Sequence, residues 1–451
     1  MKRLISGFYV LMASFFLASC AKEATGSFYI DQDADFRGEI VWIKNFGGSG
    51  DDTAQSVIET NDGGYAVLGY TNSTDGDLQG KAMNVNDYWL LKLDSDGNLQ
   101  WNKTYGGSKD DRGQSIIQTA DGGYAITGYA MSDDGDGSNN NGFHDNWILK
   151  LDAQGNLEWE KSFGFSGHDH SYDLVQTADG GFFFVGFLDI TSALADGTYY
   201  KGNSLTRHGV GEFWGSKIDA LGNLEWRGYF GGTNNDRAHA VVQADDGGFV
   251  LAGFSESEDF DISSSRGSYD FWVVKITDTG ELVWERSFGG SGIEIAYDIA
   301  KTETNSYLIT GHTFSTDQDI SSNSGEADTW LIHVNDQGDL IWEQTYGGML
   351  FDAGQSVKRI SNDRILLAGN AKSDGLGEIP NSGENDMWLA ITDLQGQLIW
   401  QKTFGGSALD LGFDVLEDRA QSLILVGSSD SSDFQELENK GGTDLIVLKL
   451  Q

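Results

Sequence analysis

Proline and cysteine each occur once in this 451-residue chain. A single thiol excludes an intrachain disulfide framework and any multi-thiolate zinc site. Basic side chains are scarce, 29 Lys and Arg against 69 Asp and Glu, for a formal charge of −40. Such a chain repels nucleic acid and anionic lipid, so neither is an expected nonspecific partner. The one long apolar run, Leu4 to Phe16, is too short to span a membrane comfortably. Beyond it no segment keeps an apolar period of 3.6 residues, so helix should be rare. Gly is plentiful, at 61 residues, and 39% of the chain is hydrophobic and 12% aromatic. That suffices for a large core and argues against wholesale disorder.

Lys2 and Arg3 ahead of the apolar run give the N-terminus the shape of a signal peptide. The run ends in Leu17-Ala18-Ser19-Cys20, which resembles the lipobox of bacterial lipoproteins in order, spacing and position of the Cys. The resemblance implies diacylglyceryl transfer to Cys20, cleavage before it and acylation of the new amine. Several acyl chains make a stable anchor where one alone does not. The alternative is an ordinary secretory signal with an incidental Cys. Ala21 follows the Cys where Asp would favour inner-membrane retention in proteobacterial lipoproteins. The expected location is therefore the bacterial cell envelope, at the outer membrane, facing either the periplasm or the surface. Residues 1–19 read as signal peptide, 20–37 as a polar lipidated tether, and 38–451 as the folded domain.

Length alone suggests two or three domains, but repetition overrides it. Trp recurs at 42, 101, 159, 226, 284, 342 and 400, at intervals of 58 or 59 residues with one of 67. The other six, at 89, 147, 214, 272, 330 and 388, occupy a second position in the same frame. A glycine keeps phase in all seven units: Gly69, Gly128, Gly186, Gly253, Gly311, Gly369 and Gly427. In the first unit, Thr53 to Thr60 turns through Asp62-Gly63-Gly64 into Tyr65 to Thr71. After a polar loop, Asp87 to Leu93 turns through Asp94 to Asn98 into Leu99 to Tyr105. Aromatic and β-branched runs between Asp/Gly turns are strand and hairpin signals. Four strands in each of seven units predict an all-β fold, a seven-bladed β-propeller. A linear solenoid is the alternative, but 58 residues is long for one coil. The repeats begin with a Trp strand, Ile40 to Phe46, and end with a third strand, Asp444 to Leu450. Pairing these two, N-terminal strand against C-terminal blade, would close the ring and satisfy both terminal strands.

Segments such as Asp121-Gly122-Gly123-Tyr124 through Trp147 to Asp152 and on to Trp159 resemble repeats of secreted and lipid-anchored propeller proteins common in Bacteroidota. That resemblance covers about residues 38–451 and implies a fold rather than an activity. Asp94, Gly97 and Trp101 are also loosely similar to the docking motif of quinoprotein-type propellers, although the turn is shorter. The similarity implies that the outer-strand Trp docks neighbouring blades; no cofactor residues match.

Two acids recur in every unit. One precedes the first strand (Asp52, Asp111, Asp169, Asp236, Glu294, Asp352, Asp410) and one the third (Asp87, Asp145, Glu212, Asp270, Asp328, Asp386, Asp444). In a propeller both connections lie at one end. Calcium binding is one reading, since hard cations take several carboxylate oxygens. Capping of turn N–H groups is the other, and is favoured because every blade has the pair.

Departures from the frame are where a specific ligand is expected. The 67-residue interval adds nine residues to the loop from Leu188 to Gly211, which carries Tyr199, Tyr200, Lys201, Arg207 and His208. These aromatic and basic residues are candidate ligand contacts. The preceding blade's loop contains Asp133-Asp134-Gly135-Asp136, a weak calcium candidate, and ends in His144. Between the two lies His168-Asp169-His170, where other units carry no His-x-His. Alternate residues of an extended backbone point the same way, so His168 and His170, with His144, His208 and Asp169, are candidate ligands for a divalent transition metal. Chance clustering of solvated histidines is the competing account. No Gly-x-Ser-x-Gly, His-Glu-x-x-His or P-loop pattern occurs. The expected function is a non-enzymatic binding or scaffold module for a glycan or an envelope protein. The alternative is a glycoside hydrolase or lyase, which needs two carboxylates about 5–10 Å apart in a cleft.

Overall fold

Each repeat folds through turns that its Asp and Gly residues dictate. At the first hairpin, Asp62 Oδ1 accepts the Gly64 N–H at 3.1 Å while Gly63 adopts φ +81°, a backbone that glycine enters without strain. The computed structural model describes residues 36–451 apart from 79, 190–209, 304, 375, 377–380, 382 and 435–436. It contains 28 strands in seven four-stranded antiparallel sheets, with no helix among the described residues. In the first blade the order from the axis outward is Asp52–Glu59, Tyr65–Thr71, Asp87–Leu93 and Leu99–Tyr105. The seven-bladed propeller read from the repeat is the observed fold.

The ring closes as the terminal strands predict. Ile40–Phe46 pairs antiparallel with Asp444–Leu450, Ile43 opposite Leu448, and completes the sheet of Asp410–Glu417 and Leu423–Ser429. Glu39 and Gln451 exchange both backbone hydrogen bonds, each at 3.0 Å, so neither strand end is left open.

Both sets of tryptophans are explained by packing. Those on the third strands, Trp89 to Trp388, are fully buried, and several donate Nε1 to the fourth strand, as Trp272 does to Glu285 at 2.9 Å. The outer-strand rings lie against a turn glycine of the next blade. A Cβ at Gly97 would fall 2.9 Å from Trp42, at Gly155 2.8 Å from Trp101, and at Gly338 2.9 Å from Trp284. Gly38 takes the same place over Trp400, so the N-terminal segment supplies both the missing strand and the missing dock. The in-phase glycine answers a different need. Every inner strand bulges after its third residue, as between Ala54 and Ser56 or Gly113 and Ser115. There the second strand comes so close that a Cβ at Gly69 would lie 1.8 Å from the Thr53 carbonyl, and at Gly128 2.1 Å from that of Arg112.

The recurrent acids cap turns. Asp52 is fully buried, and its Oδ2 accepts the Gly48 N–H at 2.8 Å and the Ser73 hydroxyl at 2.7 Å. The second set caps the N–H four residues earlier: Asn141 to Asp145 at 2.8 Å, Ser324 to Asp328 at 2.7 Å, Lys440 to Asp444 at 2.9 Å. The run Asp133 to Asp136 belongs to the frame as well. Asp134 accepts the Ser108 N–H at 2.8 Å and Asp136 that of Gly106 at 3.3 Å, just as Asp75 and Asp77 serve Ser49 and Gly47.

Candidate functional site: the channel and its His-rich mouth

The seven inner strands surround the axis and enclose a cavity of about 300 Å³. The residue just past each bulge lines this channel: Ser56, Ser115, Asp173, Ala240, Asp298, Ser356 and Asp414. Three are acidic, in alternate blades, and each accepts a backbone N–H of the following blade. Asp173 takes Val241 at 2.9 Å, Asp298 takes Val357 at 2.9 Å, and Asp414 takes Val57 at 3.0 Å. Lys358 Nζ sits 2.8 Å from Asp298 and 3.3 Å from Asp414, and those two charges hold it protonated against the cost of burial. Among the described residues no cation pairs with Asp173; burial, reinforced by the Asp298 charge, pushes its carboxyl up to about 7.

Toward the end that carries the long loops, one side of the channel is aromatic and basic. The bulge residues Tyr172, His239 and Tyr297 of three successive blades form a row, with Tyr172 edge-on to His239 at 5.1 Å and His239 parallel to Tyr297 at 5.3 Å. Two residues ahead of the bulge, the same frame position holds Arg112, His170 and Arg237 in adjacent blades. Arg237 lies over Phe187 at 4.2 Å and Arg112 over Tyr70 at 5.1 Å. Arg112 is paired with Asp110 at 3.0 Å, whereas among the described residues no carboxylate pairs with Arg237.

The structure brings together three of the predicted metal ligands. His144 and His168 meet across a parallel bridge between loop ends, with their Nδ1 atoms 3.0 Å apart. His170 completes a group in which one ring nitrogen from each residue lies within 4.8 Å of the others. Its ring stacks on Tyr129 at 3.8 Å, and burial, then the neighbouring His144 and His168, depress its pKa to about 2. Its imidazole is therefore neutral at physiological pH. Asp169 does not join them, a correction to the sequence reading. The alternation that aligns His168 with His170 turns Asp169 inward, where it is fully buried and accepts the Phe165 N–H at 2.6 Å. His208, Tyr199, Tyr200, Lys201 and Arg207 lie outside the described residues.

The sequence reading missed Arg112, Arg237, Tyr172, His239 and the channel acids. The signal that finds them is the column of the repeat rather than the motif. Aligned by the in-phase glycine, the column at Thr53 contains two arginines and a histidine, and the column at Ser56 contains three acids.

No family model matches the chain. A curated relative is Regulatory protein FlaEY from Caulobacter vibrioides, 25% identical over 217 residues. The match covers 44% of this chain and 22% of that protein, so the chain spans about a fifth of the relative's length. Among solved structures, the Pan2 WD40 domain from Neurospora crassa is 9% identical with a TM-score of 0.48, covering 89% of each chain. A protein of unknown function from Bacteroides caccae is 11% identical with a TM-score of 0.40, covering 76% of this chain and 97% of that one.

Proposed function

We propose that this chain is a lipid-anchored protein of the bacterial cell envelope, held at the outer membrane through Cys20, whose propeller is a non-enzymatic binding module. Its ligand is a glycan or a partner protein seated at the channel mouth. The observation that carries the reading is the row of aromatic and arginine side chains on one side of that mouth, on a molecule of net charge −40. Aromatic faces stack on sugar rings or apolar side chains, and the guanidinium of Arg237, which pairs with no carboxylate among the described residues, suits an acidic group on the ligand. A rigid ring of blades holding such groups at loop ends is the usual arrangement of a recognition surface.

The anchor is tested by Cys20→Ala, which should abolish acyl labelling and release the protein from the membrane fraction; persistent labelling would overturn the assignment. The ligand is tested by an array of envelope glycans probed with the chain from Ala21 onward. Arg237→Ala should weaken retention at least about tenfold while the melting temperature holds. Incubation with polysaccharides, followed by mass spectrometry, separates binding from catalysis. Turnover abolished by one carboxylate substitution would replace this reading with that of a polysaccharide-active enzyme.

A further inference from the structure

Three frame positions turn to histidine at one blade junction and nowhere else. His144 stands where the other units have Asn86, Gly211, Tyr269, Ala327, Asn385 or Thr443, and His168 where they have Asp51, Asp110, Asn235, Ile293, Phe351 or Leu409. His170 shares its column with Thr53, Arg112, Arg237, Ile295, Ala353 and Leu411. The three come from separate positions, yet converge on one point of the mouth. A repeat that drifts freely would scatter such changes over seven blades.

We propose that His144, His168 and His170 bind one divalent transition-metal ion of the zinc, nickel or copper class. Imidazole nitrogen is the ligand these ions share, and three of them leave at least one coordination position for water or an anionic ligand. The Nδ1 atoms of His144 and His168, 3.0 Å apart, share a hydrogen bond that an ion would replace by spreading them to about 3.3 Å, the separation that two ligands of one tetrahedral ion require, and a ring nitrogen of His170 lies within 4.8 Å of both. The buried Nε2 of His170 has no hydrogen-bond partner among the described residues. Behind His144, Asp110 Oδ2 lies 3.5 Å from Nε2 and is held by Arg112 at 3.0 Å, while Asp110 Oδ1 accepts from the Asn86 amide. The contact is an ion-pair distance rather than a hydrogen bond, but a carboxylate so placed would fix a ligating imidazole and strengthen its donor nitrogen once the ring turned slightly toward it. His168 is exposed, so the ion has a path from solvent. Arg112 and Arg237 oppose a dication electrostatically, and the same charges favour an anion in the open position. The inference stands apart from the glycan or protein reading, because the ion is held by the chain's own residues.

The test uses the full chain, purified in detergent, stripped with a chelator and dialysed. Titration calorimetry with zinc, nickel and copper, and elemental analysis after gel filtration, should give one ion per chain. His168→Ala and His170→Ala should each lower affinity about 100-fold or more, and His168→Gln should do the same while leaving a side chain of similar size in place. His333→Ala is the control and should bind as wild type, because His333 lies elsewhere, hydrogen-bonded to Ser306 and packed on Trp342. Cobalt substituted for zinc should show the intense visible absorption of a tetrahedral site. No ion above background in the wild type, or equal binding by wild type and His168→Gln, would overturn the proposal.

Discussion

At the scale of single residues, the glycines divide by what a side chain would meet. Gly63 has φ +81° but open space, so Gly63→Ala should cost only about 1 kcal/mol from left-handed backbone strain. Gly128 has ordinary backbone, yet a Cβ there would lie 2.1 Å from a carbonyl oxygen held by the bulge of the inner strand. Neither strand can retreat without losing its ladder, so Gly128→Ala should cost about 3 kcal/mol or more. Urea melts of both variants check the ordering; equal losses would show that the close approach relaxes freely. Asp173 makes a second residue-scale case. Asp173→Asn keeps an oxygen for the Val241 N–H and removes a carboxyl whose pKa burial and Asp298 push up to about 7. Relative to wild type, the variant should gain stability progressively as pH rises from about 4 to about 7 and hold that gain above pH 7 in the same melts.

At the scale of elements, stability resides in the junctions between blades. The outer ring of Trp284 covers Gly338 and donates Nε1 to the Asp336 carbonyl at 3.0 Å. Trp284→Ala should therefore cost about 3 kcal/mol or more, whereas Trp284→Phe, which keeps an aromatic ring and loses the hydrogen bond, should cost about half that. The closing strand offers a sharper test. A chain beginning at Gly38 retains Ile40–Phe46 and the glycine over Trp400, and should melt like one beginning at Cys20. A chain beginning at Gly47 exposes the edge of Asp444–Leu450 and should aggregate or lose its cooperative transition. Identical melts for all three would mean that the ring does not depend on its closure.

For the whole molecule, two populations of carboxyls set the pH response. Burial pushes Asp87, Asp145 and Asp270 up to about 6, at third-strand caps where Oδ1 has no donor among the described residues, and a second carboxylate adds to it: Asp111 of the next blade at Asp87, Asp133 of the same blade at Asp145 and Glu294 of the next blade at Asp270. For Asp62 and Asp121, hydrogen bonds from threonine and lysine outweigh burial and hold the carboxyl at about 2; at Asp179 the Thr177 and Lys217 bonds do the same. The raised groups bind more protons folded than unfolded between their unfolded value of 3.8 and about 6, so stability falls as pH rises through that window. The lowered groups bind fewer, so stability also falls as pH drops from 3.8 toward 2. Maximum thermal stability should therefore lie near pH 4, where the two trends meet, and relief of mutual repulsion at a net charge of −40 also favours low pH over neutral. Calorimetric scans from pH 3 to 9 check this; a maximum at pH 8 would mean that the junction carboxyls are fully ionised without penalty.

The linear chain carries its architecture openly, because a 58-residue period repeats each strand, turn and packing contact in the same register. Seven aligned glycines, thirteen assigned tryptophans and an unpaired strand at each terminus were enough to predict the number of blades and the way the ring closes. The strand Asp87–Leu93 has the bounds its alternation and flanking turns suggest. The His-x-His pair, too, was legible, since period-two alternation is a local property of extended backbone. What the sequence left open depends on neighbours fifty or more residues away. The acids Asp52 and Asp444 are caps because their oxygens meet N–H groups and hydroxyls that only the folded turns supply. The bulge in every inner strand decides which side chains enter the channel, and a one-residue slip in pairing leaves no mark in composition or hydropathy. The row Tyr172, His239 and Tyr297 becomes one surface only when successive blades turn it toward a common axis. Local rules act along a strand, and the mouth of the channel is built across seven of them.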